Sequence, residues 1–141
     1  MATEFELTGL NPEATGGIYA RSENAVCVNP APLRTGARDG LVRIIVSERA
    51  ASRVIGRVLD DRAQPVAGTG ITIMHQQKRT SEGHTYTQPR TIEELDTDEE
   101  GRFQSPVLIP DWDYTVRISG AGHAPVETEQ WTAARGGVHD L

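Results

Sequence analysis

The chain has 141 residues and carries 14 Lys and Arg against 20 Asp and Glu, a formal charge of −6. This acidic excess argues against nucleic acid or an anionic membrane as the main partner, because both bind basic faces. A domain of this length buries roughly two thirds of its unfolded surface. It can therefore fold without disulfides, which the single cysteine excludes within the chain.

The residue content predicts an all-β fold. Val, Ile and Thr number 11, 9 and 14, and they are interrupted by 14 Gly and 8 Pro. Such a composition is typical of sandwiches and barrels, and no segment of ten or more residues combines helical spacing with a cap. We therefore expect an antiparallel β-sandwich of about seven to nine strands.

The first third of the chain is predicted to hold three short strands. Phe5–Leu10 alternates apolar and polar residues, and Ile18–Ser22 follows a pair of glycines. Residues 29–40 contain two Pro and two Gly and are predicted to be a loop. The third strand is Leu41–Val46. Between them, Cys27 is flanked by valines, which predicts a small buried hydrophobe rather than a reactive thiol.

The middle of the chain predicts two strands and a long polar connection. Ser52–Asp60 is rich in β-formers, and Gly56 inside it indicates a bulge or a close backbone approach. Turn residues fill 60–70, and Ile71–Met74 resumes a strand. His75–Arg90 is polar without helical period, which predicts an extended hairpin or an exposed loop that is a candidate binding element.

The last third contains the clearest strand. Tyr114–Ser119 places Tyr114, Val116 and Ile118 on one side and polar residues between them, the period of a half-buried strand. We expect this trio to point between two stacked sheets together with Val58 and Ile73. Shorter strands are predicted at Arg102-Phe103, at 107–109 before Pro110, and within 126–131.

An internal echo suggests a repeat. Phe5, Leu10 and Pro12 have the same spacing as Phe103, Leu108 and Pro110, each 98 residues later. A repeat would make residues 1–50 the second half of a preceding module and 51–141 most of the next. The second module would then lack its final strand, and segment 5–10 or 41–46 would fill its open edge.

Three groups of motifs resemble those of carboxypeptidase regulatory-like domains, and together they cover residues 52–128. The first group opens the domain: 54–60 (VIGRVLD), 65–68 (PVAG) and 71–73 (ITI). The second is 97–103 (TDEEGRF). The third closes it: 108–110 (LIP), 114–119 (YTVRIS) and 122–125 (GHAP).

The resemblance implies a transthyretin-like or Ig-like β-sandwich that is not catalytic. Such modules recur in tandem in large bacterial surface or periplasmic proteins, and the resemblance implies a parent protein of that kind. Residues 1–6 carry no signal-peptide pattern, and apolar runs such as 44–46 are far too short to cross a membrane. We therefore expect no membrane insertion.

Catalytic and metal sites are weakly represented. Asp96 and Asp98 resemble the start of a calcium loop, but the twelfth position is Val107, where such a loop needs Glu. A solvated turn is the favoured interpretation, and no cofactor is predicted. The four histidines have no metal-ligand spacing. His84 and Tyr86 would share one face of a strand and are, with Trp112, the candidate ligand-binding residues. No nucleophile motif is present.

The tryptophans are the remaining ligand candidates. Trp112 lies between two aspartates in a predicted turn, where an exposed indole stacks on sugar rings in carbohydrate-binding proteins; the alternative is a Trp folded over the end of the sandwich. Trp131 is expected to pack on the sheet. The favoured function is a non-catalytic spacer or protein-interaction module that contacts neighbouring domains or another protein. The alternative is a carbohydrate-binding module using Trp112 and residues 75–91.

Overall fold

A computed structural model of the chain describes residues 15–27, 31–34, 44–120 and 122–141. These residues form twelve β-strands. In chain order they are β1 Thr15–Ile18, β2 Val26–Cys27, β3 Ala31–Arg34, β4 Val46–Ser47, β5 Arg53–Arg57, β6 Gly70–Ser81, β7 His84–Asp96, β8 Arg102–Gln104, β9 Asp113–Ser119, β10 Val126–Glu127, β11 Trp131–Thr132 and β12 Val138–Asp140.

The strands from β5 to β12 build a sandwich of two sheets. The larger sheet has the order β10-β9-β6-β7, with β11 also paired to β9, and all of its pairs are antiparallel. The smaller sheet has the order β12-β5-β8. The all-β antiparallel sandwich predicted from composition is confirmed. The described residues form twelve strands rather than the expected seven to nine, and eight of them, β5–β12, build the two sheets of the sandwich.

The hydrophobic core lies between the two sheets. The smaller sheet contributes Val54 and Phe103, and the larger sheet contributes its alternate residues on β6 and β9. The buried members of this cluster are Val54, Ile71, Ile73, Phe103, Leu108, Tyr114, Val116 and Ala133. Burial of this apolar surface is the main stabilising contribution to a sandwich of this kind.

The alternating strand behaves as predicted on its inner side. Tyr114 and Val116 are buried in the core, and Ile118 packs against it. Their cross-strand partners on β6 are His75, Ile73 and Ile71, respectively. Val58 also packs against this cluster.

The outer side of β9 is less exposed than we expected for a half-buried strand. Thr115 is only 5% exposed, and Met74, its partner on β6, is also buried. The Gln76 side-chain amide donates to Thr115 Oγ1 at 2.7 Å, so the buried hydroxyl has a hydrogen-bond partner.

Side-chain oxygens and a glycine close the turns expected at 60–70 and at Asp98. Asp60 Oδ1 accepts the backbone N–H groups of Arg62 and Gln64, which closes the connection after β5. Asp98 Oδ1 does the same for Glu100 and Arg102. Gly101 then takes the left-handed conformation at φ 73°, where an added Cβ would lie 2.5 Å from the carbonyl oxygen of Val58.

Several expectations for the N-terminal part need correction. Residues 31–34, placed in the loop 29–40, form β3, which pairs antiparallel with β1. The glycines before Ile18 lie inside β1, so the strand ends where Ile18–Ser22 was expected to run. Of Leu41–Val46, the described part joins a strand only at Val46, and β4 pairs with β2. Segment 5–10, the first copy of the internal echo, lies outside the described residues, so the repeat stays a prediction.

The C-terminal strand is a second correction. Val138–Asp140 runs parallel to β5 and pairs residue for residue with 53–55. The second module was expected to lack this strand, with 41–46 or 5–10 filling the gap. β12 instead occupies one edge of the smaller sheet, and β4 lies on β2.

A second, smaller cluster lies beside the main core. Val26, Ala50 and Val107 are buried together. Cys27, next to Val26 on β2, is 4% exposed and forms no disulfide, which confirms its prediction as a small buried hydrophobe.

Candidate functional site

The β6–β7 hairpin extends beyond the sandwich. The pairing of β6 with β9 ends at His75, whereas the pairing of β6 with β7 continues to Ser81 and His84. We call residues 76–89 the ribbon. Its paired part is about 17 Å long at the usual rise per residue. The expected long polar connection is therefore an extended hairpin rather than a loop.

The tip of the ribbon is a two-residue turn. Glu82 and Gly83 have φ of 51° and 79°, so both occupy the left-handed region that a type I′ turn requires. The ribbon itself is open to solvent, because every residue from Lys78 to Thr91 is exposed.

One face of the ribbon continues the inner face of the sheet. The pair His75 and Arg90 lies at its base, and Arg79 pairs with Tyr86 further out. Because side chains on one face recur every second residue, this surface also includes the other alternate pairs. We call it the tyrosine face, which consists of Gln77, Arg79, Ser81, His84, Tyr86 and Gln88. His84 and Tyr86 share it, as their spacing predicts.

A group of aromatic rings lies where the ribbon joins the sandwich. The imidazole of His75 stacks on the indole of Trp112, with ring centres 4.0 Å apart and planes 17° apart. Tyr19 contacts the same indole at 5.1 Å with its ring at 70°. On the core side, Tyr114 lies 5.8 Å from His75. Trp112 is thus half-buried in a packed cluster.

Tyr114 anchors this cluster to the backbone. Its hydroxyl donates to the carbonyl of Ile109 at 3.2 Å and accepts the N–H of the same residue at 3.0 Å. Ile109 therefore satisfies the hydroxyl of a ring that is buried in the core. Burial raises the pKa of Tyr114 to about 12, although the bond from Ile109 and the charge of Arg21 act in the opposite direction.

His75 is disposed to remain neutral. Its partial burial lowers the pKa of the imidazole below the usual value, Asp113 acts to raise it, and Arg90 lowers it further. Asp113 is itself a hydrogen-bond acceptor for Thr132 Oγ1 at 2.6 Å. A neutral imidazole packs on an indole without the cost of desolvating a charge.

An open cleft of about 290 Å³ lies beside the aromatic cluster. We call it the base cleft. Its charged lining comes from Arg21 and Arg90, and the other lining residues are Tyr19, Ala20, Thr91, Ile92, Ile109, Trp112 and Tyr114. Both guanidiniums are exposed, and among the described residues neither has a hydrogen-bond or ion-pair partner.

The predicted ligand residues lie on one surface but not in one cavity. Trp112 lines the base cleft, whereas Tyr86 and His84 lie four and six residue steps further along the ribbon. That separation is roughly 13–20 Å at the usual rise. A ligand that contacts all three must therefore be extended.

The predicted acidic site is built as a turn. Asp98 forms an ion pair with Arg102 at 3.2 Å, and the backbone N–H of Arg102 lowers the pKa of the Asp98 carboxyl. Asp96 and Asp98 line a wider groove of about 660 Å³ that opens between the sheets over Phe103. Within the described ranges, no three His, Cys, Asp or Glu side chains are arranged to hold a metal ion.

The remaining aromatic candidates have structural positions. Trp131 pairs with Tyr114 on β9 and stacks on His139 of β12 at 4.5 Å, which joins the two sheets and confirms its expected packing role. His123 is exposed in the turn after β9.

Sequence reasoning missed most of the base cleft. Tyr19, Arg21 and Arg90 were not singled out, because the first two lie about 90 residues before Trp112 and Arg90 lies 22 residues before it. The alternation of His75, Gln77, Arg79 and the matching residues of β7 was a usable signal, because a period of two marks one face of a ribbon.

Comparisons with known proteins add no relative. No family model matches the chain, and no curated protein matches it. The resemblance to carboxypeptidase regulatory-like domains therefore stays a prediction from the quoted motifs. None of the described residues lies in a helix long and apolar enough to cross a membrane.

Proposed function

We propose that this chain is a non-catalytic β-sandwich module that serves a larger, bacterial protein as an interaction domain, with the ribbon as its contact element. The observation that carries the proposal is the exposure of fourteen consecutive residues, 78–91, on a hairpin that leaves the sheet. The motifs that resemble carboxypeptidase regulatory-like domains favour the same class.

The energetics of the ribbon support a contact role. A two-stranded hairpin is at best marginally stable in water, because it has no third strand and no packed face. Ordering its residues costs conformational entropy that no buried apolar side chain of its own offsets. The ribbon nevertheless carries Arg79 and Tyr86 on one exposed face, and arginine and tyrosine are enriched in binding surfaces.

A shortened ribbon tests this role. Deleting residues 78–81 and 84–87 joins Gln77 to Gln88 through the native turn of Glu82 and Gly83 and keeps the strand register parity. We expect the variant to unfold at nearly the same denaturant concentration as the wild type, because the deleted residues are exposed.

The two forms then serve as paired baits on an extract of the source organism. A protein captured by the wild type and lost with the shortened ribbon is purified, and its affinity for both forms is measured by calorimetry. A Kd at least tenfold weaker for the shortened form supports the proposal. Equal affinities, or no ribbon-dependent partner, indicate a spacer. Turnover of peptide, ester or glycoside substrates would contradict the non-catalytic assignment.

A second function, carbohydrate binding by Trp112 and residues 75–91, is favoured by the base cleft. The cleft places the Trp112 and Tyr19 rings next to two unpaired guanidiniums. Aromatic rings contact the apolar faces of sugars, and guanidiniums bind their polar groups. Titration of the protein with oligosaccharides, followed by calorimetry, tests this function directly; no heat at millimolar ligand would exclude it.

A further inference from the structure

The walls of the base cleft are pre-organised. The stack of Trp112 on His75 and the two hydrogen bonds of Tyr114 hold its aromatic side in place. The groove over Phe103 differs, since two of its charged side chains, Asp98 and Arg102, already bind each other. Walls held by packing lose little freedom when a ligand binds.

The charges of the base cleft are unbalanced. In the described part of the chain, Arg102, Arg117 and Arg135 form ion pairs with carboxylates, whereas Arg21 and Arg90 do not. Two unpaired guanidiniums that line one cavity create a positive potential at that point. The planar fork of an arginine matches the two oxygens of a carboxylate. This side of the cleft therefore favours an anionic group.

The size and walls of the cleft narrow the ligand further. At about 290 Å³ it lies at the lower end of ligand pockets, so it accepts one ring rather than a large molecule. Tyr19 and Trp112 offer apolar surface to that ring. A dense polyanion such as nucleic acid is disfavoured by the chain's charge of −6.

We infer that the base cleft binds a uronic acid unit of an acidic polysaccharide. Arg21 and Arg90 bind the sugar carboxylate, and Tyr19 and Trp112 contact the apolar face of the ring. Further units of the polysaccharide follow the tyrosine face of the ribbon, where Tyr86 lies about 13 Å from the base at the usual rise per residue. This inference rests on the carbohydrate-binding function proposed above and adds the class of sugar.

The test uses defined oligosaccharides and arginine variants of the whole chain. Trigalacturonate is titrated into the wild type, Arg21→Gln and Arg90→Gln, with calorimetry as the readout. Arg62→Gln is the matched control, because Arg62 is an exposed arginine on the turn after β5, away from the cleft. We expect at least tenfold weaker binding for each cleft variant, since each loses a charge-assisted hydrogen bond, and no change for the control.

Three further probes separate the possible sources of binding. Methyl-esterified trigalacturonate keeps the rings without the charges, maltotriose is a neutral trisaccharide, and hexaglutamate keeps charges without sugar rings. The inference predicts that all three bind at least tenfold more weakly than trigalacturonate.

Each alternative result has a distinct meaning. Equal binding of the ester or of maltotriose overturns the uronic acid inference and leaves carbohydrate binding intact. Equal binding of hexaglutamate overturns it in favour of an acidic peptide. Failure of every glycan to bind overturns both the inference and the carbohydrate function, whereas the bait experiment with the shortened ribbon still decides the interaction role.

Discussion

Gly56→Ala is expected to destabilise the fold because β5 has no room for a side chain at that position. A Cβ there would lie 2.5 Å from Phe103 Cε1 and 2.6 Å from its Cζ, and 3.0 Å from the carbonyl oxygen of Leu141. Phe103 is 6% exposed and belongs to the main core cluster, so moving its ring towards the adjoining groove would break its core contacts.

The size of the effect follows from two opposing contributions. Forcing a methyl group into a packed core costs about 1–3 kcal/mol, and replacing glycine within a strand returns about 0.5–1 kcal/mol. These ranges leave a net loss of about 0–2.5 kcal/mol of unfolding free energy, and because a contact of 2.5 Å lies at the costly end we expect about 1–2 kcal/mol. With an m value of about 2 kcal/mol/M, the urea midpoint falls by about 0.5–1 M at unchanged m.

Gly120→Ala is the matched control. No atom lies within 4 Å of a Cβ at Gly120, and its φ is not in the left-handed region. We expect its urea midpoint to equal or slightly exceed that of the wild type. Urea unfolding followed by tryptophan fluorescence compares the two variants. If Gly56→Ala unfolds at the same midpoint as Gly120→Ala, the close approach of Phe103 to β5 is refuted.

Three further predictions concern hydrogen bonding and titration. Tyr114→Phe leaves the N–H of Ile109 without its partner and should lower the free energy of unfolding in urea by about 1–3 kcal/mol. In alkaline titration the variant should lose a phenolate step near pH 12 that the wild type shows. A wild type without that step contradicts the burial of Tyr114. Burial lowers the pKa of folded His75 below about 6.5, the value of an unfolded histidine. The free energy of unfolding of the wild type should therefore fall as the pH drops below about 6.5 towards the lowered folded pKa. His75→Phe should remove this fall, and an unchanged slope refutes it. Hydrogen bonds from Arg102 lower the pKa of the folded Asp98 carboxyl, so the ionised Asp98 stabilises the fold above pH about 3.8 and this stabilisation is lost as the pH falls further. Asp98→Asn should therefore flatten the acid side of a plot of stability against pH. An unaltered acid side contradicts this prediction.

Local sequence patterns predicted the features that depend on neighbouring residues. The period-two alternation identified β9 and its inner face, since only one side of a half-buried strand is apolar. Turn residues predicted the turns closed by Asp60 and Asp98, because each carboxylate binds backbone groups within four residues. Gly56 marked a close approach, which Phe103 now explains.

Features that depend on distant residues were not predictable in this way. β12 pairs with β5, which lies about 85 residues earlier in the sequence. A strand of only three residues is too short for its sequence pattern to indicate which strand it pairs with. β3 was hidden by prolines that indicate a loop, although Pro is tolerated on an edge strand. The base cleft joins residues 19–21, Arg90 and Trp112, and only the folded chain brings these together.

The most direct test of the account is amide hydrogen exchange on the free wild-type protein. The proposed function requires that the ribbon lie outside the packed sandwich and be open to a partner. We expect the amides of residues 78–87 to exchange orders of magnitude faster than that of Val116 in β9, because the ribbon opens locally without unfolding the core. Ribbon amides as slow as Val116 would show that the hairpin is packed against the domain, and the proposed contact element would be lost.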